Sequence, residues 1–346
     1  MALGRGSRTR GVKKSHLKKK VKRQGGSSLY GIKQGVGAVT KYPFPKKKKS
    51  AKNGNGRRCA SWRQGLNALS PTHLPLPRAV GSYSVIRTTD TINSANRGML
   101  FGVFKGPRTE FTDTVWLNTC GVLVPGGTGL TDAINASGNA YFVESTAISA
   151  ASLAGARMVP AAITLQVMNG EALQSSSGIV YIGRSKTVLD LMGDTRSWET
   201  VFKELISYSA PRLCSAGKLA LRGVQVNAIP NNMSVLSDFV PRGIANNAYQ
   251  TWNEGDYSVD FEGFAPIFVY NPEGVALNFL LTIEWRMRFD PLNPAYAGHT
   301  LYRPSSEQTW SNAIADAESI GHGVVDIADV TADVGMGLGG AAAAFG

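Results

Sequence analysis

The sequence predicts an all-β fold: an eight-stranded antiparallel jelly roll, a Greek-key sandwich, with a disordered basic N-terminal arm and few short helices. Three observations carry that expectation. From about residue 78 onward, short apolar runs are separated by Gly, Pro, Asn and Ser. The clearest run places Val275, Leu277, Phe279, Leu281, Ile283, Trp285, Met287 and Phe289 in alternation with Ala276, Asn278, Leu280, Thr282, Glu284, Arg286 and Arg288. That is period two, a strand with one buried face. Helical periodicity is confined to two short stretches, so helices do not alternate with strands as a doubly wound α/β fold requires.

The candidate strands, in order, are Val80–Thr88, Gly98–Phe104, Val115–Val124, Arg157–Asn169, Gly178–Arg184, Lys218–Ile229, Phe264–Tyr270 and Val275–Phe289. Within the fourth, Ala161, Ile163, Leu165 and Val167 repeat the alternation. Tyr270-Asn271-Pro272-Glu273-Gly274 is a turn signal and predicts that the last two strands form an antiparallel pair. An immunoglobulin-type sandwich needs only about 100 residues. These strands span more than 200, and at this size the jelly roll is the commoner Greek-key form. One helix is predicted over Arg196–Tyr208, with Trp198, Phe202 and Leu205 on a stripe and Asp194 or Ser197 as cap. A second follows Ser305, which with Gln308 resembles a capping box ahead of Trp310, Ala313, Ile314 and Ala317. The chain closes on a Gly/Ala tail, Gly335–Gly346, and has no internal repeat of fixed period. Three regions result: an arm over 1–63, a jelly-roll domain over 64–303, and a C-terminal helix and tail over 304–346.

Charge divides the chain more sharply than hydropathy does. The 346 residues hold 37 Lys+Arg against 24 Asp+Glu, a formal net charge of +13. Residues 1–63 contain 20 of the bases and no acid, and the first acid is Asp90. The remaining 283 residues are therefore net −7. A Gly- and Ser-rich arm of +20 repels itself and cannot bury enough surface to offset its ordering entropy. It is expected to stay disordered until a polyanion neutralises it. Lysine and arginine displace condensed counterions from phosphates without regard to sequence. This assigns nucleic-acid binding to Arg5, Arg8, Arg10, Lys13, Lys14, Lys18, Lys19, Lys20, Lys22, Arg23, Lys46, Lys47, Lys48, Lys49, Arg57 and Arg58. A nuclear or nucleolar localisation signal or an acidic-lipid tether explains a short basic run; some 60 residues without one acid favour bulk phosphate neutralisation, with room for a nuclear signal embedded in the arm. Tyr30, Tyr42 and Phe44 form no RNP-like pattern, so base-specific reading is not implied.

The body is low in charge. Residues 64–346 hold 41 charged residues, about one in seven, where roughly one in four is ordinary. A surface depleted of charge suits burial against other subunits. No run of 18 apolar residues and no secretory signal is visible. Cys59, Cys120 and Cys214 leave one over in any pairing and are read as reduced thiols. His16, His73, His299 and His322 have no metal-ligand spacing. Gly126-Gly127-Thr128-Gly129 lacks the Lys of a P-loop, and no hydrolase, zincin or deaminase motif occurs. No enzymatic activity and no organic cofactor are expected. Glu254, Asp256, Asp260 and Glu262 form an acidic run whose oxygens suit Ca²⁺ at a subunit interface; the alternative is a solvated acidic loop, or one that pairs with Arg286 and Arg288.

The stretch Phe264-Ala265-Pro266-Ile267-Phe268-Val269-Tyr270-Asn271-Pro272, then Leu277–Arg288, then Phe289-Asp290-Pro291-Leu292-Asn293-Pro294, resembles the end of a nodavirus- or tombusvirus-like capsid protein. In that lineage, also found in some single-stranded DNA viruses such as bacilladnaviruses, the last strand carries an acid–aromatic–Arg run, here Glu284-Trp285-Arg286. The pair Arg157–Asn169 and Gly178–Arg184 is similar to its paired middle strands. The resemblance implies a virion component that assembles with copies of itself into an icosahedral shell of T=3 type. It also implies packaging of genomic nucleic acid, with RNA favoured over single-stranded DNA, and no small-molecule substrate. Some nodaviruses cleave their coat protein at an Asn-Ala bond. Asn312-Ala313 is comparably placed, but Ser70–Ser82 lacks the acid that the cleavage needs. The alternative is a cellular nucleic-acid-binding structural protein of ribosomal or chromatin type with a β-rich body. Such a protein would usually spread positive charge over its body, and this body is acidic.

Overall fold

The computed structural model describes residues 65–330, apart from 72, 109–110, 137–139, 146–154, 187–188, 190, 192, 244–262 and 320. Strands follow in the order β1 (Ser82–Ser94), β2 (Gly98–Phe101), β3 (Lys105–Arg108), β4 (Phe111–Leu117), β5 (Thr119–Val124), β6 (Tyr141–Glu144), β7 (Arg157–Met168), β8 (Ile179–Arg184), β9 (Arg212–Ser215), β10 (Val224–Asn227), β11 (Val240–Gly243), β12 (Ile267–Tyr270), β13 (Leu277–Arg288), β14 (Thr300–Leu301) and β15 (Val324–Asp326). The helices are α1 (Thr128–Thr131), α2 (Trp198–Ser209), α3 (Ala216–Leu221) and α4 (Glu307–Glu318).

Eight of these strands make a jelly roll. They are β1, β2, β7, β8, β9, β10, β12 and β13, here counted first to eighth. One sheet runs first-eighth-third-sixth, β1-β13-β7-β10. The other runs second-seventh-fourth-fifth, β2-β12-β8-β9. Every pair in both is antiparallel, and each sheet draws strands from both halves of the chain, as two interleaved Greek keys require. The remaining strands extend the sheets. β5 and β6 widen the second sheet beyond β2. β11 and then β4 and β3 continue the first beyond the N-terminal end of β7, and β15 continues it beyond β10.

The core lies between the sheets. Phe279, Leu281, Ile283, Trp285 and Met287 of β13 meet Ile163, Leu165 and Val167 of β7 and, across the sandwich, Phe101, Val180, Ile182, Ile267 and Val269. β7 runs through the middle of its sheet although it carries Pro160, which has no N–H for the ladder. The pairing shows how: Glu284 faces Ala162 and Trp285 faces Pro160, so Ala161 is an extra residue in a bulge. A second apolar cluster covers the outer face of the second sheet, where Trp198, Val201, Phe202 and Leu205 of α2 pack on Leu100, Val122, Phe268 and Tyr270. The Ser197 side chain accepts from the Thr200 N–H at 3.2 Å and starts α2. Ala210, with φ 45, and Pro211 end it. Gly98 makes this docking possible: a Cβ there would lie 2.3 Å from the Phe202 ring.

Several sequence-based expectations need correction. Tyr270–Gly274 does form a turn, with the Gly274 N–H donating to the Asn271 carbonyl at 3.1 Å. Yet β12 and β13 do not pair: β12 joins β2 and β8, whereas β13 joins β1 and β7. The turn moves the chain from one sheet to the other. Val115–Val124 is not one strand, because Asn118 separates β4 in the first sheet from β5 in the second. Lys218–Ile229 begins in α3, and only Val224–Asn227 is strand. The cap of α4 is Ser306, not Ser305; its hydroxyl accepts from the Thr309 N–H at 3.2 Å.

Candidate functional site

The sixteen Lys and Arg assigned to the arm lie outside the described residues, as do Glu254, Asp256, Asp260, Glu262 and Cys59. The structure does describe where the chain enters the body. Segment 65–77 lies across the outer face of the first sheet, on the side chains that alternate with the core positions. The Ala68 N–H donates to Thr164 Oγ1 at 2.9 Å, and that hydroxyl donates to Asn227 Oδ1 at 3.0 Å. Leu66, Leu74 and Leu76 are buried there. From the other end of the chain, Trp310 of α4 is fully buried and its indole N–H donates to the Pro75 carbonyl at 2.9 Å. The Ser305 N–H donates to the Leu76 carbonyl at 3.0 Å. The entering segment is thus held between β1, β13, β7 and α4.

An ionic centre fixes it. Glu284 and Arg286 are 2% and 1% exposed, although on alternation alone both belong to the polar face. The Glu284 carboxylate accepts from Arg286 Nη1 at 2.6 Å and from Arg87 Nε and Nη2 at 3.2 Å, and it lies 2.5 Å from His73 Nδ1. Arg87 also donates to the Ser70 carbonyl, and Arg286 Nη2 to the Leu74 carbonyl at 3.1 Å. The Arg286 guanidinium lies over the Tyr83 ring at 5.8 Å, and Tyr83 stacks on Tyr302 at 4.7 Å. Burial pushes the Glu284 carboxyl up; the His73 hydrogen bond and the Arg286 charge outweigh it and hold the group below the usual carboxylate range. One carboxylate therefore ties the segment (through His73, and through Arg87 and Arg286) to the last strand of the jelly roll. The alternation of β13 was legible in the sequence. That its polar face would be covered was not, because the covering residues lie more than 200 positions away.

The arrangement holds the entering segment to the sandwich. Cys120 and Cys214 are buried free thiols, both pushed up by burial, so neither is a ready thiolate. His299 Nε2 accepts from the Phe289 N–H and His322 Nδ1 from the Val324 N–H, both at 3.0 Å. Burial first, and neighbouring arginines second, lower both imidazoles and keep them neutral. Among the described residues, no three His, Cys, Asp or Glu side chains converge as a metal site. Asn312 is an exposed residue of α4 whose amide oxygen accepts from Gln308 at 2.9 Å, an ordinary i, i+4 pair.

No family model and no curated protein matches the sequence. Among solved structures the chain is similar to a decameric BFDV capsid protein, with 11% identity and a TM-score of 0.26 over 60% of this chain and 99% of that one. It is also similar to a 60-mer BFDV capsid protein, with 11% identity and a TM-score of 0.25 over 66% of this chain and all of that one. Scores this low carry no argument about function, and the jelly roll rests on strand order and register.

Proposed function

We propose that this chain is a viral capsid protein: copies of the jelly-roll body assemble into an icosahedral shell, and the basic arm packages the genome. The observation that carries the reading is the division of charge. Twenty cations and no acid stand in residues 1–63, ahead of a β-sandwich body of net −7. Segment 65–77, which continues the arm, is fastened to one face of the sandwich through Glu284 and Trp310. A closed shell with that face inward would gather every arm into one volume, where phosphate neutralisation is the work they can do. The low charge density of the body supports extensive burial between subunits.

The finer reading is a T=3 shell of about 180 copies. Its arms would bring about 3600 positive charges, enough for about 3600 phosphates, with RNA favoured as the genome. Calcium at Glu254, Asp256, Asp260 and Glu262 belongs to the same proposal and predicts shells that loosen under a chelator. A cellular ribosomal or chromatin role is disfavoured by the acidic body. The test is negative-stain microscopy of the purified full chain, followed by extraction of any nucleic acid. Uniform spherical particles containing nucleic acid are expected. A monodisperse monomer that binds nucleic acid without forming shells would overturn the capsid reading.

A further inference from the structure

A second concentration of positive charge lies on the body itself, around β15. Asp326 Oδ1 is 2.9 Å from Arg212 Nη1 and 3.3 Å from Lys218 Nζ, and Asp326 Oδ2 is 3.8 Å from Arg222 Nη1. The three cations come from β9, α3 and the residue that caps α3, so the fold brings them together across ten positions of chain. One carboxylate balances one of them. Two charges remain in excess, in a body whose other residues carry 23 acids against 14 bases. The cations are open to water to different degrees: Arg222 is 62% exposed, Lys218 32% and Arg212 23%, whereas Asp326 is 12% exposed. Asp326 sits at the end of a three-residue strand that pairs only with β10. The element that delivers the carboxylate is therefore the shortest one in contact with the cluster, a strand outside the eight of the jelly roll whose Val324 is buried in the core and whose Val324 carbonyl accepts from Arg212 at 3.3 Å.

We propose that Arg212, Lys218 and Arg222 form a phosphate-binding site, which Asp326 fills in the free protein and a phosphate group takes over when nucleic acid is present. A phosphodiester brings one full charge and two free oxygens, and it can be held by arginine and lysine together. Replacement needs only the Asp326 side chain to turn away, because Val324 keeps β15 in the core beside β10. The site would give the shell protein a contact to the nucleic-acid backbone apart from its arm, and it rests on the nucleic-acid-binding reading proposed for the chain.

The test uses the full chain and a homopolymeric single-stranded RNA oligonucleotide, with affinity measured against salt for three proteins. These are the unaltered chain, Lys218→Gln/Arg222→Gln, and Lys46 to Lys49 all changed to Ala. Loss of two phosphate contacts should flatten the slope of log affinity against log salt by about 1.4. Asp326→Asn, which removes the internal occupant, should steepen that slope, whereas a merely structural clasp would leave it unchanged. Acetylation of Lys218 should be suppressed by the RNA. If inorganic phosphate alone suppresses it equally, free phosphate and not a nucleic-acid backbone is the ligand. If the four-lysine variant loses slope while Lys218→Gln/Arg222→Gln does not, this site is overturned and the arm reading stands. If neither loses slope, both fall.

Discussion

At the scale of single residues, Glu284 is the position where most depends on one atom group. It is a buried carboxylate facing Arg87, Arg286 and His73. Glu284→Gln keeps the shape but leaves Arg286 buried beside a neutral amide. Breaking a buried pair in this way costs about 3–5 kcal/mol, so the urea midpoint of the body should fall markedly. The acid limb gives an independent reading. The folded carboxyl is held below its ordinary value, so its contribution is complete above the glutamate range and lost as pH falls through the folded value. Unfolding by acid should therefore show a glutamate-dependent loss of stability that the Gln variant lacks. Identical acid limbs for the two proteins would contradict the ionic centre. Trp285, the next residue, points the other way, into the core; its indole N–H donates to Thr88 Oγ1 at 3.1 Å and its ring meets Trp116 edge-on at 6.3 Å. Trp285→Asp buries an unpaired carboxylate at a cost of several kcal/mol, comparable with the stability of a domain. Soluble expression should be lost, and normal yields of folded protein would place the strand in another register.

Among the elements, α4 closes over the entering segment and holds it on the sandwich. Trp310 is buried completely and holds the Pro75 carbonyl. Trp310→Ala removes a large aromatic from a packed site, which costs about 3–5 kcal/mol. Limited proteolysis should then cut first near residues 65–77 and within α4, while the sheets stay resistant. Uniform resistance would show that α4 does not hold the segment. The same elements show what was legible in the sequence. Strands β7 and β13 could be read because each buries a continuous row of alternate side chains, and α2 because its stripe and Ser197 cap are local. The partners of β12 could not be read: a turn of five residues suits a hairpin and a crossover between sheets alike, and only the long-range pairing decides. β15 and the cluster around Asp326 escaped the reading for a related reason. Three residues carry no period, and Arg212, Lys218 and Arg222 look like solvated charges until the fold brings an acid from a hundred positions away.

For the whole molecule, the proposed function divides labour between an arm that neutralises nucleic acid and a body that builds the shell. The division of charge on which it rests was legible in the sequence because charge is additive and needs no fold to be counted. The direct measurement compares nucleic acid per subunit, from absorbance and extraction, for the full chain and for a chain lacking residues 1–58. That deletion spares segment 65–77 with its contacts to Glu284 and Trp310, so the body should unfold at the same denaturant concentration as before. The truncated protein is expected to keep its fold and to lose nearly all of the packaged nucleic acid. A truncated protein that co-purifies with as much nucleic acid per subunit as the full chain would contradict the claim.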